Sequence, residues 1–171
     1  PEELFLAEHR IMTWQMAWGE EGGTLMLGQY ERMRRWLFVW LLDVDEGSAS
    51  LWDDHDEGDR YGDPGYPVFR LLPNGQRVMR QVEDAVFFTG TGGTELGDRP
   101  FLDLRNLNTG ETSRLFRCDP DRYEYFQAFA GSENSFVLRS ESSTEVPNYY
   151  LTTFGEEIEA MQSGARGQSP K

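Results

Sequence analysis

The chain contains very few of the residues that build disulfides and zinc sites. Its 171 residues include one cysteine, Cys118, and two histidines, His9 and His55. A single cysteine cannot form an internal disulfide, and one thiol with two imidazoles leaves no Cys/His zinc site. The sequence therefore predicts no metal centre and no cofactor, and it fits a reducing compartment.

Long apolar runs are also missing. The longest run, residues 36–42, has seven residues, whereas a membrane-spanning helix needs roughly 20. No charged and then apolar leader opens the chain, although a leader upstream of Pro1 is compatible with the sequence. We therefore expect no membrane partner and a cytoplasmic location, or the plastid stroma if the protein comes from a plant.

Positive charge is scarce. The chain has 16 basic residues against 30 acidic ones, a net charge of -14, and its single lysine is Lys171. Nucleic-acid phosphates carry the same sign of charge and would be repelled. Nucleic acid is therefore excluded as the main partner of this acidic protein.

The motif of a nucleophilic serine is absent too. In α/β-hydrolases that serine lies in G-x-S-x-G, and no such pentapeptide occurs in the chain. His9 lies near the start of the chain and His55 in an acid-rich stretch, so we interpret both as non-catalytic. Cys118 is interpreted as an ordinary thiol. The sequence predicts no catalytic residue in this chain.

Two loops have compositions typical of ligand-binding loops, but neither matches the corresponding sequence motif. Residues 53–67 are rich in acids, which Ca²⁺ favours, but an EF-hand counted from the first of them has Gly58 correctly placed and Pro64 where glutamate is needed. Residues 90–93 are glycine-rich, but a dinucleotide fingerprint needs glycine where Glu95 stands. We interpret both stretches as loops and predict no metal site.

A repeated β-hairpin is present instead. Residues 101–116 contain an apolar arm, a tight turn at Asn108-Thr109-Gly110 and a returning arm, and asparagine and glycine suit such turns. Residues 37–52 repeat this order around a turn at 45–47. The repeat predicts a β architecture built from similar units.

Apolar periodicity predicts three antiparallel meanders. Their strands are residues 13–18, 24–30, 36–44 and 49–53, then 68–72, 76–81, 85–89, 101–107 and 112–117, then 123–130, 135–140 and 148–154. Residues 36–42 are apolar at every position, which is typical of a strand covered on both faces, as in the stacked sheets of a propeller. A buried helical segment is the alternative, but a short aromatic-rich run between turns favours a strand.

The predicted fold class is therefore all-β, with antiparallel four-stranded blades of an incomplete β-propeller, about two and a half blades in number. Residues 1–11 are a lead-in and residues 12–154 the partial propeller. Its blades span about residues 12–53, 66–117 and 123–154, and residues 155–171 are a polar tail or a remnant of an expression vector.

Three stretches in order resemble one protein family. They are EGDRYGDPG at residues 57–65, GDRPFLD with the following NTG and RLFR within residues 97–117, and ES with the following PNYY within residues 141–150. Together they resemble the N-terminal β-propeller of prolyl oligopeptidase family serine peptidases, above all the glutamyl endopeptidase group of bacteria and plastids. The resemblance covers residues 32–151.

The resemblance implies a two-domain enzyme. In such enzymes an α/β-hydrolase domain supplies Ser, Asp and His, and the propeller gates the active site and helps to position peptide substrates. This chain shows no hydrolase domain, so no catalytic residue is carried over. Arg60, Arg99, Glu141 and Asn148 are the candidate substrate contacts, and bracing of the local turns is the alternative role for each.

A second interpretation is a stand-alone interaction or scaffold protein built from the same blades, without peptidase activity. Open blades leave unpaired strand edges, which proteins normally cover. Both interpretations therefore predict partners, namely missing blades, a hydrolase domain or another copy of the chain. The first also predicts a peptide substrate bound through the complete enzyme.

Overall fold

The computed structural model describes residues 3–131 and 134–154. The predicted tail, residues 155–171, and Ser132 of the predicted turn after the first strand of the third meander lie outside the described residues. Within those ranges the chain is all-β, and no helix is long and apolar enough to cross a membrane.

The first meander consists of four strands. They are β1 (Arg10–Trp18), β2 (Thr24–Glu31), β3 (Trp36–Asp43) and β4 (Ser48–Asp56), and each pairs antiparallel with the next. The four predicted strands are confirmed. Strand β4 runs three residues further than predicted, so His55 belongs to a strand and not to a loop. Strand β4 lies at the edge of the first sheet, and an edge strand tolerates charged side chains on its solvent face, so its acids do not mark a loop.

Four short strands connect the first meander to the second. They are β5 (Tyr66–Pro67), β6 (Phe69–Leu71), β7 (Arg77–Met79) and β8 (Gln81–Val82). The hairpin of β6 and β7 extends the first sheet, because Val78 pairs in parallel with Trp18. This differs from the predicted second meander, which contained both strands. The chain changes sheet at Arg80, whose N–H donates to the Val68 carbonyl at 2.8 Å.

The second sheet is built around β9 (Ala85–Gly90). The chain then forms a small hairpin of β10 (Gly93–Thr94) and β11 (Gly97–Asp98), followed by β12 (Phe101–Asn106) and β13 (Thr112–Arg117). The order across the sheet is β13, β12, β9 and β5, and β8 also pairs with β9. The predicted strands 85–89, 101–107 and 112–117 are confirmed to within one residue.

The third sheet contains three described strands. They are β14 (Tyr123–Phe129), β15 (Ser135–Glu141) and β16 (Asn148–Thr153), in that order and antiparallel. All three match the predicted strands within a residue or so at each end.

The sheets pack face to face through two apolar cores. Strand β9 supplies both, because its side chains alternate: Val86 and Phe88 contact Met26 and Met79 of the first sheet, while Phe87 contacts the third sheet. The core between the second and third sheets contains Phe87, Leu102, Leu104, Phe126, Phe136 and Leu138. Successive antiparallel sheets stacked in chain order are consistent with an incomplete β-propeller.

Strand β3 is covered on both faces, as its unbroken apolar run predicted. Val39 and Leu41 pack against the core shared with the second sheet, whereas Trp40 and Leu42 belong to a smaller cluster on the other face. Phe5 from the lead-in covers that cluster, with its ring 5.2 Å from the ring of Trp40.

Candidate functional site

Strand register brings the predicted site residues to one end of the second and third sheets, which we name the loop end. Phe101 pairs with Arg117, Tyr123 with Glu141, and Ser140 with Asn148. Strands β12, β14 and β16 therefore begin where β13 and β15 end. Arg99, Glu141 and Asn148 lie at this end because they stand at or next to those strand termini.

Arg60 and Arg99 hold neighbouring loops at the loop end. Nη2 of Arg60 donates to Oδ1 of Asp98 at 2.7 Å, while 71% of the Arg60 side chain stays exposed. Nε of Arg99 donates to the carbonyl oxygen of Cys118 at 2.9 Å. A Cβ on Gly93 would lie 2.6 Å from the Arg60 carbonyl oxygen, so the two loops pack backbone to backbone. Arg60 thus keeps free surface for a ligand, and Arg99 braces the junction to the third sheet.

Glu141 and Asn148 have local partners as well. Glu141 accepts a hydrogen bond from Arg139 at 3.1 Å, and Oδ1 of Asn148 accepts one from the Tyr149 N–H at 2.9 Å. Tyr123 begins β14 at the same end, and burial, followed by the negative charge of Asp98 and of other neighbours including Glu141, raises its pKa. Tyr123 is therefore a neutral hydrogen-bonding group at physiological pH.

The two histidines are engaged on the first sheet. The ring of His9 stacks on Phe38 with centroids 5.5 Å apart, and Nδ1 of His55 lies 3.1 Å from Oδ2 of Asp53. Neither lies at the loop end.

A second site, the inter-sheet cleft, lies between the first and second sheets. It has a volume of about 420 Å³, and its walls come from β4, β9, β12 and the loop before β5. Sequence reasoning missed it, because its residues are far apart in the chain. The usable signal was Arg105, a charged residue that follows Leu104 in strand β12, since charged residues are seldom buried without a specific role.

Arg105 is the central side chain of the inter-sheet cleft. Only 11% of this side chain is exposed, and its Cζ lies 4.2 Å from the ring centroid of Trp52 and 5.2 Å from that of Phe88. Its Nη2 is 3.4 Å from Oδ1 of Asp53, a long hydrogen bond. Its Nε and Nη1 are buried without an acceptor among the described residues. Arg105 therefore has hydrogen-bonding capacity that its surroundings do not use.

Asp53 links Arg105 to His55. Burial alone would raise the pKa of Asp53, but the hydrogen bond with His55 and the charge of Arg105 outweigh burial and lower it. Asp53 is therefore ionised at neutral pH and holds both side chains in place. The cleft presents a fixed ion pair beside aromatic rings.

The loop before β5 closes one wall of the inter-sheet cleft. The N–H of Gly65 donates to Oδ1 of Asp63 at 2.8 Å, and Tyr66 pairs with Thr89 of β9. Gly65 has a φ of +76°, and a Cβ there would lie 2.3 Å from the Thr89 carbonyl oxygen. Only glycine fits this approach, since its positive φ disfavours other residues as well.

The acids at the end of β4 and in the loop that follows it accept local hydrogen bonds. Oδ1 of Asp56 accepts from the Gly58 N–H at 2.7 Å, Oδ1 of Asp59 accepts from the Tyr61 N–H at 3.0 Å, and Oδ2 of Asp54 accepts from the Trp36 indole at 2.7 Å. In the part of the chain that the structure describes, no three His, Cys, Asp or Glu residues are placed to hold a metal ion. These carboxylates are committed to turns and to the edge of the first sheet.

Sequence comparison finds two plant proteins that are similar to this chain. The chain resembles part of two such proteins. A probable glutamyl endopeptidase, chloroplastic, from Oryza sativa subsp. japonica is 27% identical over 157 residues, which cover 82% of this chain. The protein of the same name from Arabidopsis thaliana is 27% identical over 116 residues, 63% of this chain. The chain spans 17% and 12% of the lengths of these relatives.

Two other comparisons add little. No protein-family model matches the chain. The crystal structure of TolB from Acinetobacter baumannii aligns with 89% of this chain and 32% of its own, at 16% identity and a TM-score of 0.45. The sequence relationship to part of a peptidase-related protein therefore rests on the two plant relatives.

Proposed function

We propose that this chain is the propeller part of a glutamyl endopeptidase-like serine peptidase of the prolyl oligopeptidase family, and that it is not catalytic by itself. The supporting observation is the similarity to the rice relative, which extends over 82% of the chain but only 17% of that protein. The remainder of such a protein has ample length for an α/β-hydrolase domain. The proposed location is the plastid stroma if the source is a plant, and the cytoplasm otherwise.

In this proposal the loop end gates and helps to position peptide substrates for the hydrolase domain. Arg60 and Arg99 supply positive charge there, and Glu141 and Asn148 supply acceptors and an amide. The exposed guanidinium of Arg60 is the strongest candidate contact, because its ion pair with Asp98 leaves most of the side chain in solvent. An exposed ion pair is weak, so a substrate carboxylate can compete for it.

Peptide hydrolysis tests the proposal. The 171-residue chain and the longer gene product are assayed with a quenched fluorescent peptide that contains one glutamate. We expect turnover by the longer protein and none by the chain alone. In the longer protein, Arg60→Met should raise KM with little change in kcat, because the residue contributes to binding, whereas Arg32→Met, an exposed turn residue of the first sheet, should change neither. Turnover by the pure chain, or a longer product without activity, would contradict the proposal.

A stand-alone interaction protein is the second candidate function, and the outer edge of β16 favours it. Tyr149, Tyr150 and Leu151 are exposed there, Leu151 by 70%, and the outer edge of β16 pairs with no other described strand. Such an edge accepts a further strand. We propose that missing blades, a hydrolase domain or another copy of the chain covers it. Lack of peptidase activity in the longer product, with a stable complex in light scattering, would favour this second function.

A further inference from the structure

The strands at the edges of the three large sheets differ in their protection against pairing with a further strand. Edge strands of soluble proteins normally carry charge, proline or a bulge, or are very short. Strands β4, β13 and β14 each contain charged residues and a β-bulge. Strands β5 and β6 have only two and three residues. Each of these edges therefore has a feature that disfavours the addition of a strand.

Strand β16 has none of these protective features. Its six residues, Asn148–Thr153, include no charged residue and no proline, and its pairing with β15 is regular over its whole length. The side chains of Tyr149 and Leu151 are exposed, by 59% and 70%. Among the edges of the three large sheets in the described part of the chain, the outer edge of β16 is therefore the one left open to a further strand.

The register of β16 shows which of its backbone groups face outward. The N–H of Phe154 donates to the carbonyl oxygen of Asn134, which precedes β15, at 2.9 Å. Backbone groups alternate in direction along an antiparallel strand, so those of the even-numbered residues of β16 face β15. In agreement, the Tyr149 N–H donates to the side chain of Asn148 at 2.9 Å and not to β15. The outward-facing groups therefore belong to the odd-numbered residues Tyr149, Leu151 and Thr153.

The outer edge of β16 is complementary to itself. When two copies pair antiparallel about a two-fold axis at Leu151, this residue stands opposite its own copy, and Tyr149 stands opposite Thr153. All of these residues face outward, so each pair exchanges both backbone hydrogen bonds. No charged side chain stands opposite another. The net charge of -14 disfavours contact between two copies elsewhere, whereas this edge adds no contact between like charges.

We propose that the outer edge of β16 pairs antiparallel with β16 of a second copy, with Leu151 at the two-fold axis. The two third sheets then form one continuous sheet, and the exposed side chain of Leu151 lies against its symmetry mate. This inference rests on the second candidate function, that of an interaction protein, and it names a second copy as the partner. The contact is small, so we expect a dissociation constant on the order of 10–100 µM.

Exchange of backbone amide hydrogens with water tests the pairing residue by residue. It is measured by NMR on the ¹⁵N-labelled 171-residue chain at about 20 µM and at about 1 mM. We expect the outward N–H groups of Leu151 and Thr153 to exchange at least about threefold more slowly at the higher concentration, because the dimer protects them. The N–H groups of Tyr150 and Thr152 are the internal control, since β15 protects them at both concentrations.

Two leucine variants test where the contact lies. Leu151 and Leu71, on β6, are exposed to a similar extent, 70% and 72%, and Leu151→Lys and Leu71→Lys change the net charge equally. Leu151→Lys brings two ammonium groups opposite each other at the axis, and we expect at least about fivefold weaker dimerisation in sedimentation equilibrium. Leu71→Lys should dimerise at least as well as the wild type. Added salt should tighten the wild-type dimer, because it screens the repulsion between two acidic copies.

Each contrary outcome overturns the proposal. A chain that stays monomeric at about 1 mM does not pair through this edge. Protection of Leu151 and Thr153 that is independent of concentration means that the same chain covers the edge. Equal weakening of dimerisation by both leucine variants places the contact elsewhere. These results leave the peptidase proposal untouched, because hydrolysis by the longer protein tests it, and light scattering on that longer protein tests the second candidate function separately.

Discussion

Replacement of Gly65 by alanine should destabilise the protein far more than the same change at another turn glycine. Gly65 has a φ of +76°, and its Cβ would lie 2.3 Å from the carbonyl oxygen of Thr89. Gly110 is the matched control, because its φ is +73° and no atom lies within 4 Å of its Cβ position. The two variants share the conformational penalty of a left-handed alanine and differ in the steric contact.

The expected magnitudes follow from these two contributions. The left-handed conformation costs about 1–2 kcal/mol for a residue with a Cβ, so Gly110→Ala should lower the free energy of unfolding by about that amount. At Gly65 the backbone of β9 must also move, and overpacking adds about 1–3 kcal/mol. We therefore expect Gly65→Ala to cost about 2–5 kcal/mol in total. The loop carrying Asp63 would shift with it, because the Gly65 N–H is bonded to that carboxylate.

Urea unfolding followed by tryptophan fluorescence measures the difference. With an m-value of about 2 kcal/mol/M, an excess of about 2 kcal/mol moves the midpoint of Gly65→Ala about 1 M below that of Gly110→Ala. Equal midpoints for the two variants would refute the close approach of the loop to β9.

Three further predictions concern charged and thiol groups. Arg114→Met should lower the free energy of unfolding by about 1.5–3 kcal/mol, because it removes two hydrogen bonds, of 2.7 and 2.9 Å, from the buried carboxylate of Asp103. The control, Arg60→Met, should lower it by less than about 1 kcal/mol, because that ion pair is exposed. Equal urea midpoints for the two variants would contradict this prediction. The pKa of Asp53 is lowered from its ordinary value of 3.8, so its ionised form stabilises the fold above that pH, and this stabilisation is lost as the pH falls through the folded-state pKa. The difference in unfolding free energy between wild type and Asp53→Asn should therefore shrink in acid. A difference that grows in acid would contradict this assignment. Burial raises the pKa of Cys118, so a thiol reagent at pH 8 should label it only at the rate of unfolding, and fast labelling of the folded chain would show that the thiol is open.

The strand pattern of this protein was predictable because most strands carry their own signal. The unbroken apolar run of β3 reflects burial on both faces, and the alternation of β15 reflects burial of one face. Turn glycines such as Gly47 and Gly110 have the positive φ expected of them. The local sequence pattern does not predict which neighbouring strand each strand pairs with. The hairpin of β6 and β7 joins the first sheet through one parallel pair at Val78, and nothing in its own residues specifies that neighbour.

The candidate sites also differ in how far local sequence signals predict them. The family resemblance named Arg99, Glu141 and Asn148 as candidates, and the strand register of the structure brings them to one end, since consecutive antiparallel strands return to the same edge. The inter-sheet cleft depends on Trp52 and Arg105, which stand on different sheets and are 53 positions apart in the sequence. Their contact follows from the way the sheets stack, which hydrophobic periodicity does not specify.

Strand β12 carries two buried charges whose hydrogen bonding differs. Asp103 and Arg105 stand two positions apart and therefore on the same face of the strand, and both are buried. The carboxylate of Asp103 accepts two hydrogen bonds, from Nε and Nη2 of Arg114 on the adjacent strand. Arg105 instead has one long contact to Asp53 and two unused nitrogens. Because the same sheet gives one buried charge a two-hydrogen-bond partner and gives the other a single long contact, Arg105 is held mainly by Asp53 and by the aromatic faces of Trp52 and Phe88, which attract a guanidinium.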